Sequence, residues 1–293
     1  MGKPYAPGAQ GRCIAASNSR CPGRAVWARS AGNNRVRAAS RDGGGVEDFA
    51  FWALAGLAAV LVGLSKGGLP VVGMLSVPLL ALVMSPVAAA GLLLPIYVIS
   101  DMFGLWAYRR AYDKRVLAIM VPAMTIGVAI GWATASRVSE AWVTVLVGVI
   151  GAAFALNLLI LRGAARAARP ADLAPGLFWG AVAGFTSFVS HAGAPPYQVY
   201  VLPLKLEKAV FAGTATIAFA YVNAIKLIPY YALGQISASS LKVVAILAVP
   251  ASLAVFAGVR LVKIIPEKLF FQLITWTLLG ISLKLIGDGI SGI

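Results

Sequence analysis

Ser65-Lys66-Gly67-Gly68-Leu69-Pro70 and Ser190-His191-Ala192-Gly193-Ala194-Pro195 are versions of one another, 125 residues apart (65 to 190). Each segment interrupts an apolar stretch with small residues, a proline and one ionisable side chain. Broken apolar segments at matching places in the two halves of a membrane chain indicate the binding site of a transporter. We therefore expect the two breaks to lie together and to carry the function.

The composition is that of an integral membrane protein. Of 293 residues, 60% are hydrophobic and 12% are charged. About 20 apolar residues cross the hydrocarbon core as a helix, and runs of that length follow one another from about Asp48. An all-α polytopic fold of eight to ten helices is predicted. The second and seventh segments are short, and re-entrant half-helices are one alternative for them. The ten segments are at 48–64, 70–85, 87–107, 116–135, 141–161, 173–190, 195–204, 209–230, 240–260 and 268–287.

Prolines and glycines outside the two breaks show that the whole membrane body is duplicated. Apolar residues align by chance, whereas these residue types rarely do. The matching pairs are Pro78 and Pro203, Ala90-Gly91 and Ala212-Gly213, Tyr108 and Tyr230, and Val121-Pro122-Ala123 and Val249-Pro250-Ala251. We predict a first repeat at 47–162, a cytoplasmic linker at 163–171 and a second repeat at 172–293.

Loop charge predicts the orientation of the repeats. Basic gaps at 109–115, 162–169, 205–208 and 260–268 alternate with gaps that are nearly uncharged. The positive-inside rule places the basic gaps in the cytoplasm. Five segments per half is an odd number, so the two repeats should be inverted and both ends of the membrane body should face outward.

The first 46 residues form a basic extension that we set apart from the fold. Residues 1–41 hold eight lysines and arginines and no acid. This composition is typical of an organellar transit peptide, and translation from a misplaced start, with Val46 as the true initiator, is the interpretation we favour. Aromatic residues are too few to suggest nucleic-acid binding. Both cysteines, Cys13 and Cys21, lie here, so we expect no disulfide, metal site or cofactor in the membrane body.

The first break is a candidate anion site because glycines admit a ligand close to the backbone and Pro70 suits the first turn of a new helix. A helix N-terminus binds anions, and Lys66 adds a positive charge. The alternative is a packing kink, with Lys66 extending to the cytoplasmic surface. The candidate binding residues of both breaks are Ser65, Lys66, Gly67, Gly68, Pro70, Ser190, His191, Gly193, Pro195, Tyr197 and Gln198.

Three further polar residues inside apolar segments are candidates for coupling or for an ion pair. Asp101 matches Asn223 in the repeat, and Lys226 lies one turn beyond Asn223 on the same face. Asp101 could pair with Lys226 across the pseudo-two-fold axis or carry a proton. Contact with the arginines of the nearby basic gap is the alternative. For Lys284 and Asp288, one turn apart, we expect an interfacial pair.

A competing motif is Gly63-Leu64-Ser65-Lys66-Gly67, which fits the G-x-S-x-G pattern of serine hydrolases, with His191 as a base. That motif requires a strand before the serine, and none is predicted here. The absence of a phosphate-binding G-x-x-x-x-G-K-[ST] loop argues against ATP-driven pumping. We expect no enzyme activity.

Taken together, the two breaks, with Val77-Pro78-Leu79-Leu80-Ala81-Leu82 and Pro195-Pro196-Tyr197-Gln198-Val199-Tyr200, resemble the TauE/SafE sulfite exporter family from about Asp48 to Ile290. The resemblance implies a two-repeat helical transporter of the plasma membrane for sulfite, sulfonates or related small anions. Relatives often have three glycines in the first break, where this chain has Gly67-Gly68 and then Leu69.

Our sequence-based hypothesis is therefore a secondary transporter or facilitator that moves a small anion, by export, across a lipid bilayer. Histidine titrates near neutral pH, which makes pH dependence through His191 part of this hypothesis. An intramembrane serine hydrolase and a non-transporting scaffold are the alternatives. An organellar membrane replaces the plasma membrane if residues 1–46 are a transit peptide. A homo-oligomer is left open, and no nucleic-acid partner is expected.

Overall fold

The computed structural model describes residues 45–292, apart from 71, 136, 138, 161–167 and 237–239. Nearly all of the predicted basic extension, and most of the predicted linker, lie outside the described residues. Those two predictions therefore remain predictions.

The described chain is all-helical, and its elements follow the ten predicted segments. The first half has α1 (Gly45–Lys66), a 3₁₀ turn (Val72–Leu75), α2 (Ser76–Leu80), α3 (Pro86–Tyr108), α4 (Lys114–Thr134) and α5 (Glu140–Ile160). The second half has α6 (Leu173–Ser190), α7 (Ala194–Val201), a 3₁₀ turn (Leu202–Leu204), α8 (Lys208–Ala232), α9 (Leu241–Ile264) and α10 (Glu267–Ser291).

Local sequence explains where several of these helices begin. The Ser85 side chain accepts a hydrogen bond from the Ala88 amide, and Pro86 opens α3. The Asp113 carboxylate accepts one from the Val116 amide at 2.9 Å and starts α4. Both side chains satisfy amides that the first turn of a helix leaves unpaired.

Among the described residues, eight helices are long and apolar enough to cross a membrane, all except α2 and α7. Many large apolar side chains on these helices are exposed, as expected for surfaces that face lipid. Examples are Trp106, Ile130, Trp142, Leu146, Ile160, Leu253 and Trp276. The chain is a multi-pass membrane protein.

Contacts between loops bring the basic gaps to one end of the bundle, which we call the basic end. The Arg115 Nε donates to the Ala171 carbonyl at 2.9 Å, and the Arg169 amide donates to the Pro203 carbonyl at 3.1 Å. The Lys208 Nζ donates to the Ile265 carbonyl at 2.6 Å. Consequently α3 runs toward the basic end and α8 runs away from it, so the repeats are inverted, as predicted.

Helices of each repeat pack on helices of the other repeat, in a pattern with pseudo-two-fold symmetry. Helix α1 of the first repeat packs on α9 of the second, and α6 of the second packs on α4 of the first. Helices α3 and α8 pack on each other. Glycines make the close approaches: a Cβ on Gly63 would overlap the Ala251 carbonyl, and one on Gly184 would overlap the Met124 carbonyl. Small residues at such contacts are typical of helices that associate in membranes.

The short elements are the second arms of hairpins that return to the end they came from. Helix α6 starts at the basic end, and α7 brings the chain back there, where Tyr200 donates through its hydroxyl to the Asp172 carbonyl at 3.1 Å. Helix α1 runs parallel to α9 from the opposite, neutral end, and α3 starts at that end again. The short second and seventh segments therefore re-enter rather than span.

Candidate functional site

Each hairpin tip contains a residue in the left-handed conformation. Gly68 has φ +113° after the end of α1, and His191 has φ +55° at the end of α6. Glycine is the usual residue for such a turn, because other side chains crowd the backbone there. A histidine in this conformation is uncommon, and strain of this kind concentrates at functional sites.

Tyrosines from equivalent places in the repeats hold the two tips. The Tyr108 hydroxyl donates to the Gly67 carbonyl at 2.6 Å, and the Tyr230 hydroxyl donates to the Phe188 carbonyl at 3.2 Å. Both bonds satisfy carbonyls that the last turn of a helix leaves unpaired. The sequence match between Tyr108 and Tyr230 thus corresponds to a shared structural task.

A cavity lies between the two tips, beside the middle of α3 and α8. Its empty space, which includes the part that is open to solvent, is about 480 Å³. It is lined by residues from both repeats: Ser65, Lys66, Pro70, Gly73, Met74, Tyr97, Ser187, His191, Gly193, Ala194, Ala215, Thr216, Phe219 and Asn223. The two breaks therefore meet at one cavity, as the repeat predicted.

Lys66 is held by a buried ion pair. Its Nζ lies 2.8 Å from Asp101 Oδ1, and the residues are 4% and 1% exposed. Asn223 donates through Nδ2 to Asp101 Oδ2 at 2.9 Å. Equivalent residues of the two repeats thus touch each other at the pseudo-two-fold axis.

This arrangement corrects two of our expectations. The partner of Asp101 is Lys66, neither Lys226 nor the arginines of the basic gap, because the end of α1 brings Lys66 directly against the carboxylate. The alternative in which Lys66 extends to the cytoplasmic surface is also wrong, since a buried carboxylate holds its ammonium group.

Lys226 is fully buried and has no acidic partner within the described part of the chain. Its Nζ donates to the Ser187 carbonyl at 2.6 Å and lies 3.4 Å from Nε2 of His191. The other ring nitrogen, Nδ1, lies 3.3 Å from the Tyr230 hydroxyl. Three polar side chains therefore contact one another in series at the cavity wall, with His191 between Lys226 and Tyr230.

The predicted site residues separate into three groups. Ser65, Lys66, Pro70, His191, Gly193 and Asn223 line the cavity. Gly67, Gly68, Ser190 and Pro195 shape the tips without lining it. Tyr197 and Gln198 are fully buried on α7 away from the cavity, where the Tyr197 ring packs on Phe211 and Phe219.

We expected a helix N-terminus at the cavity from each of the two breaks, and the structure does not have this arrangement. Pro70 lies in a turn, the 3₁₀ turn starts at Val72, and the following α2 has only five residues. Pro195 does stand in the first turn of α7. Therefore the positive side of the site comes from side chains rather than from two facing helix ends.

Sequence reasoning missed Tyr97 and Phe219, which both line the cavity. They occupy equivalent positions on α3 and α8, 122 residues apart (97 to 219), so the repeat alignment could have identified them. The Tyr97 hydroxyl donates to the Gly73 carbonyl at 2.7 Å, and its ring lies 5.1 Å from the Lys66 Nζ.

Ser65 and His191, both in the described structure, do not form a serine–histidine dyad. Ser65 lies in the last turn of α1, not after a strand, and its hydroxyl donates to the Val62 carbonyl at 2.6 Å. The two nitrogens of His191 face Lys226 and Tyr230 instead. Among the described residues, no cluster of three or more histidine, cysteine or acidic side chains could hold a metal ion.

In a comparison with protein families, the family model described as sulfite exporter TauE/SafE matches residues 49–285. Searches of curated proteins and of solved structures find no match. The family match covers seven of the eight candidate spans in full, most of the eighth, and both hairpin tips.

Proposed function

Because this chain belongs to the TauE/SafE family of membrane transporters, we propose that it is a secondary transporter for a small anion that binds in the cavity between the hairpin tips. Sulfite, a sulfonate or a small carboxylate is the proposed substrate class. Export across the plasma membrane is the proposed direction.

The main support for an anion is the charge around the cavity. Lys66 is neutralised by Asp101, which leaves Lys226 as a buried lysine without an acidic partner in the described structure. Burying a charge without a partner is costly. An anion in the cavity would offset that cost, whereas a cation would increase it.

The side chains that line the cavity suit a small oxyanion. The ammonium group of Lys66 and the imidazole of His191 approach from different repeats. Thr216 of α8 also lines the cavity, and its hydroxyl donates to the Lys66 carbonyl at 3.2 Å. The wall also has apolar parts, Met74 and Phe219. A ligand with a charged head and a short apolar group, such as a sulfonate, would meet both kinds of surface.

The inverted repeat supports a transport cycle. The tip at Gly68 lies toward the basic end and the tip at His191 toward the neutral end. Movement of one hairpin at a time would open the same cavity first to one side of the membrane and then to the other, as in other inverted-repeat transporters.

The experiment is counterflow of radiolabelled sulfite into proteoliposomes that contain the full chain. We expect wild-type protein to exchange sulfite, and we expect Lys66→Met and His191→Ala each to lower the initial rate at least about tenfold, which corresponds to about 1.4 kcal/mol. Lys284→Met is the matched control, because its side chain is 44% exposed at the far end of α10.

Unlabelled methanesulfonate, sulfate and acetate, added in turn, rank the substrate classes by competition. Unchanged counterflow in both cavity variants would overturn the proposed site. Vesicles of defined orientation then test the direction. We expect transport from the cytoplasmic face to the outer face to be faster than transport in the reverse direction.

A further inference from the structure

We propose that one proton is bound together with each anion, and that Tyr230, His191 and Lys226 form the path by which this proton reaches the site. The inference rests on the proposed anion-transport function. It adds a second ligand, the proton, and names the residues that would carry it.

The geometry is a continuous chain of polar atoms. The Tyr230 hydroxyl lies 3.3 Å from Nδ1 of His191, and Nε2 of the same ring lies 3.4 Å from Nζ of Lys226. Tyr230 stands two residues before the neutral end of α8, and Lys226 stands one turn deeper. The chain thus leads from near one membrane surface to the cavity wall.

Few charged groups face the series of polar side chains formed by Tyr230, His191 and Lys226. From α1 the Lys66 ammonium is close enough to repel both His191 and Lys226, and from α3 Asp101 lies beyond it as its ion-pair partner. The uncharged Tyr97 ring of α3 lies 6.1 Å from the His191 ring, and Asn223 of α8 bonds to Asp101. Since Asp101 is paired with Lys66, no carboxylate among the described residues is left to pair with a protonated Lys226 or His191.

The proton balance follows from this arrangement. With an empty cavity, a neutral amine on Lys226 beside a neutral imidazole avoids a buried, unpaired charge. When an anion enters, the Tyr230 hydroxyl turns from the Phe188 carbonyl toward Nδ1 of His191, gives its proton to that nitrogen and takes a replacement proton from solvent. The ring, which begins with its own proton on Nε2, releases that proton to the Lys226 amine, and Lys226 becomes an ammonium ion behind His191 in the cavity wall. Anion and proton therefore favour each other's binding.

A purely structural role for Lys226 is the competing explanation, because its Nζ also caps the last turn of α6 at the Ser187 carbonyl. Such a role needs a hydrogen-bond donor but no exchange of protons. Lys226→Arg separates the two roles, since a guanidinium group keeps the charge and the donors but does not lose its proton.

The test measures proton uptake when an anion binds to the purified full-length protein in weakly buffered detergent solution. Methanesulfonate and sulfate are the probes, because neither takes up a proton near neutral pH. For wild type we expect uptake that approaches one proton per bound anion as the pH rises toward mildly alkaline values. For Lys226→Arg we expect anion binding without proton uptake, and thermal stability reports whether this variant is folded.

Tyr230→Phe provides a kinetic test in proteoliposomes. This variant keeps the ring and the charges of the site but loses the hydrogen bond to the Phe188 carbonyl, so its thermal stability is measured beside the flux. In the folded variant we expect the same proton uptake at equilibrium but a coupled proton flux at least about tenfold slower. Binding of either probe to wild type without proton uptake would overturn proton coupling and leave the anion site intact. Failure of wild type to bind methanesulfonate, sulfate or sulfite would overturn the proposed function, and the coupling with it.

Discussion

Asp101→Asn removes one charge from a buried ion pair and changes almost nothing in shape. The new amide oxygen can still accept the hydrogen bond from Asn223, which wild type makes at 2.9 Å. What is lost is the attraction between the carboxylate and Lys66. Because Lys66 is 4% exposed, solvent cannot replace that partner.

The size of the effect follows from the distance. Two unit charges 2.8 Å apart attract each other by about 6 kcal/mol at an effective dielectric constant of about 20. Removing one partner from a buried pair typically destabilises a protein by about 3–5 kcal/mol, because the other charge stays buried. We expect Asp101→Asn to fall in this range. Adding Lys66→Met should restore stability to within about 1.5 kcal/mol of wild type, since the uncompensated charge is then gone.

The assay is equilibrium unfolding of detergent-solubilised protein by added dodecyl sulfate, followed by tryptophan fluorescence. Asp288→Asn is the matched control, because it makes the same change in the exposed pair with Lys284 and should cost less than about 1 kcal/mol. The reasoning is refuted if Asp101→Asn costs no more than Asp288→Asn, or if Lys66→Met added to it lowers stability further.

Three other predictions test the fold. Gly213→Ala places a Cβ over the Ala111 carbonyl and should destabilise by about 1–3 kcal/mol in the same assay, whereas Gly280→Ala meets open space and should not; equal effects would contradict the close approach. Tyr108→Phe leaves the Gly67 carbonyl unpaired and should lower the free energy of unfolding by about 1–3 kcal/mol. Tyr221→Phe should change it little, because the Tyr221 hydroxyl bonds Thr125 at an exposed position. If Tyr108→Phe does not change stability, Tyr108 does not stabilise the first hairpin tip. In a chain with both native cysteines replaced by serine, an impermeant thiol reagent should label Arg137→Cys in intact cells but Arg110→Cys only after permeabilisation; the reverse pattern would invert the topology.

Hydropathy and loop charge were sufficient to predict the fold. Each of the ten apolar segments contains a helix, because a chain in lipid must satisfy its backbone hydrogen bonds internally and a helix does so within one segment. The basic gaps predicted the inverted repeat independently of the segment count, and contacts such as that of Lys208 with Ile265 bring those gaps to one end.

The meeting of the two breaks was also predictable, since it follows from symmetry. A pseudo-two-fold axis brings equivalent positions together, and the contact between Asp101 and Asn223 is a direct consequence of it. Tyr97 and Phe219, which occupy equivalent positions on α3 and α8, could have been placed at the cavity by the same argument.

Pairing and side-chain direction were harder to predict. The choice of Lys66 rather than Lys226 as the partner of Asp101 depends on how far α1 extends before it turns, and Gly68 rather than Pro70 sets that point. Gln198 was expected at the site because it lies in the second break, but α7 is buried on nearly all sides and only its first residue lines the cavity. Sequence proximity to a break does not determine which face of a short helix a ligand meets.

Calorimetric titration of purified protein with sulfite tests the central claim most directly, namely that one anion binds between the two hairpin tips. We predict a single site in wild type, an affinity lowered at least about tenfold in both Lys66→Met and His191→Ala, and no change in Lys284→Met. Equal affinity in all four proteins, or no binding by the wild type, would contradict it.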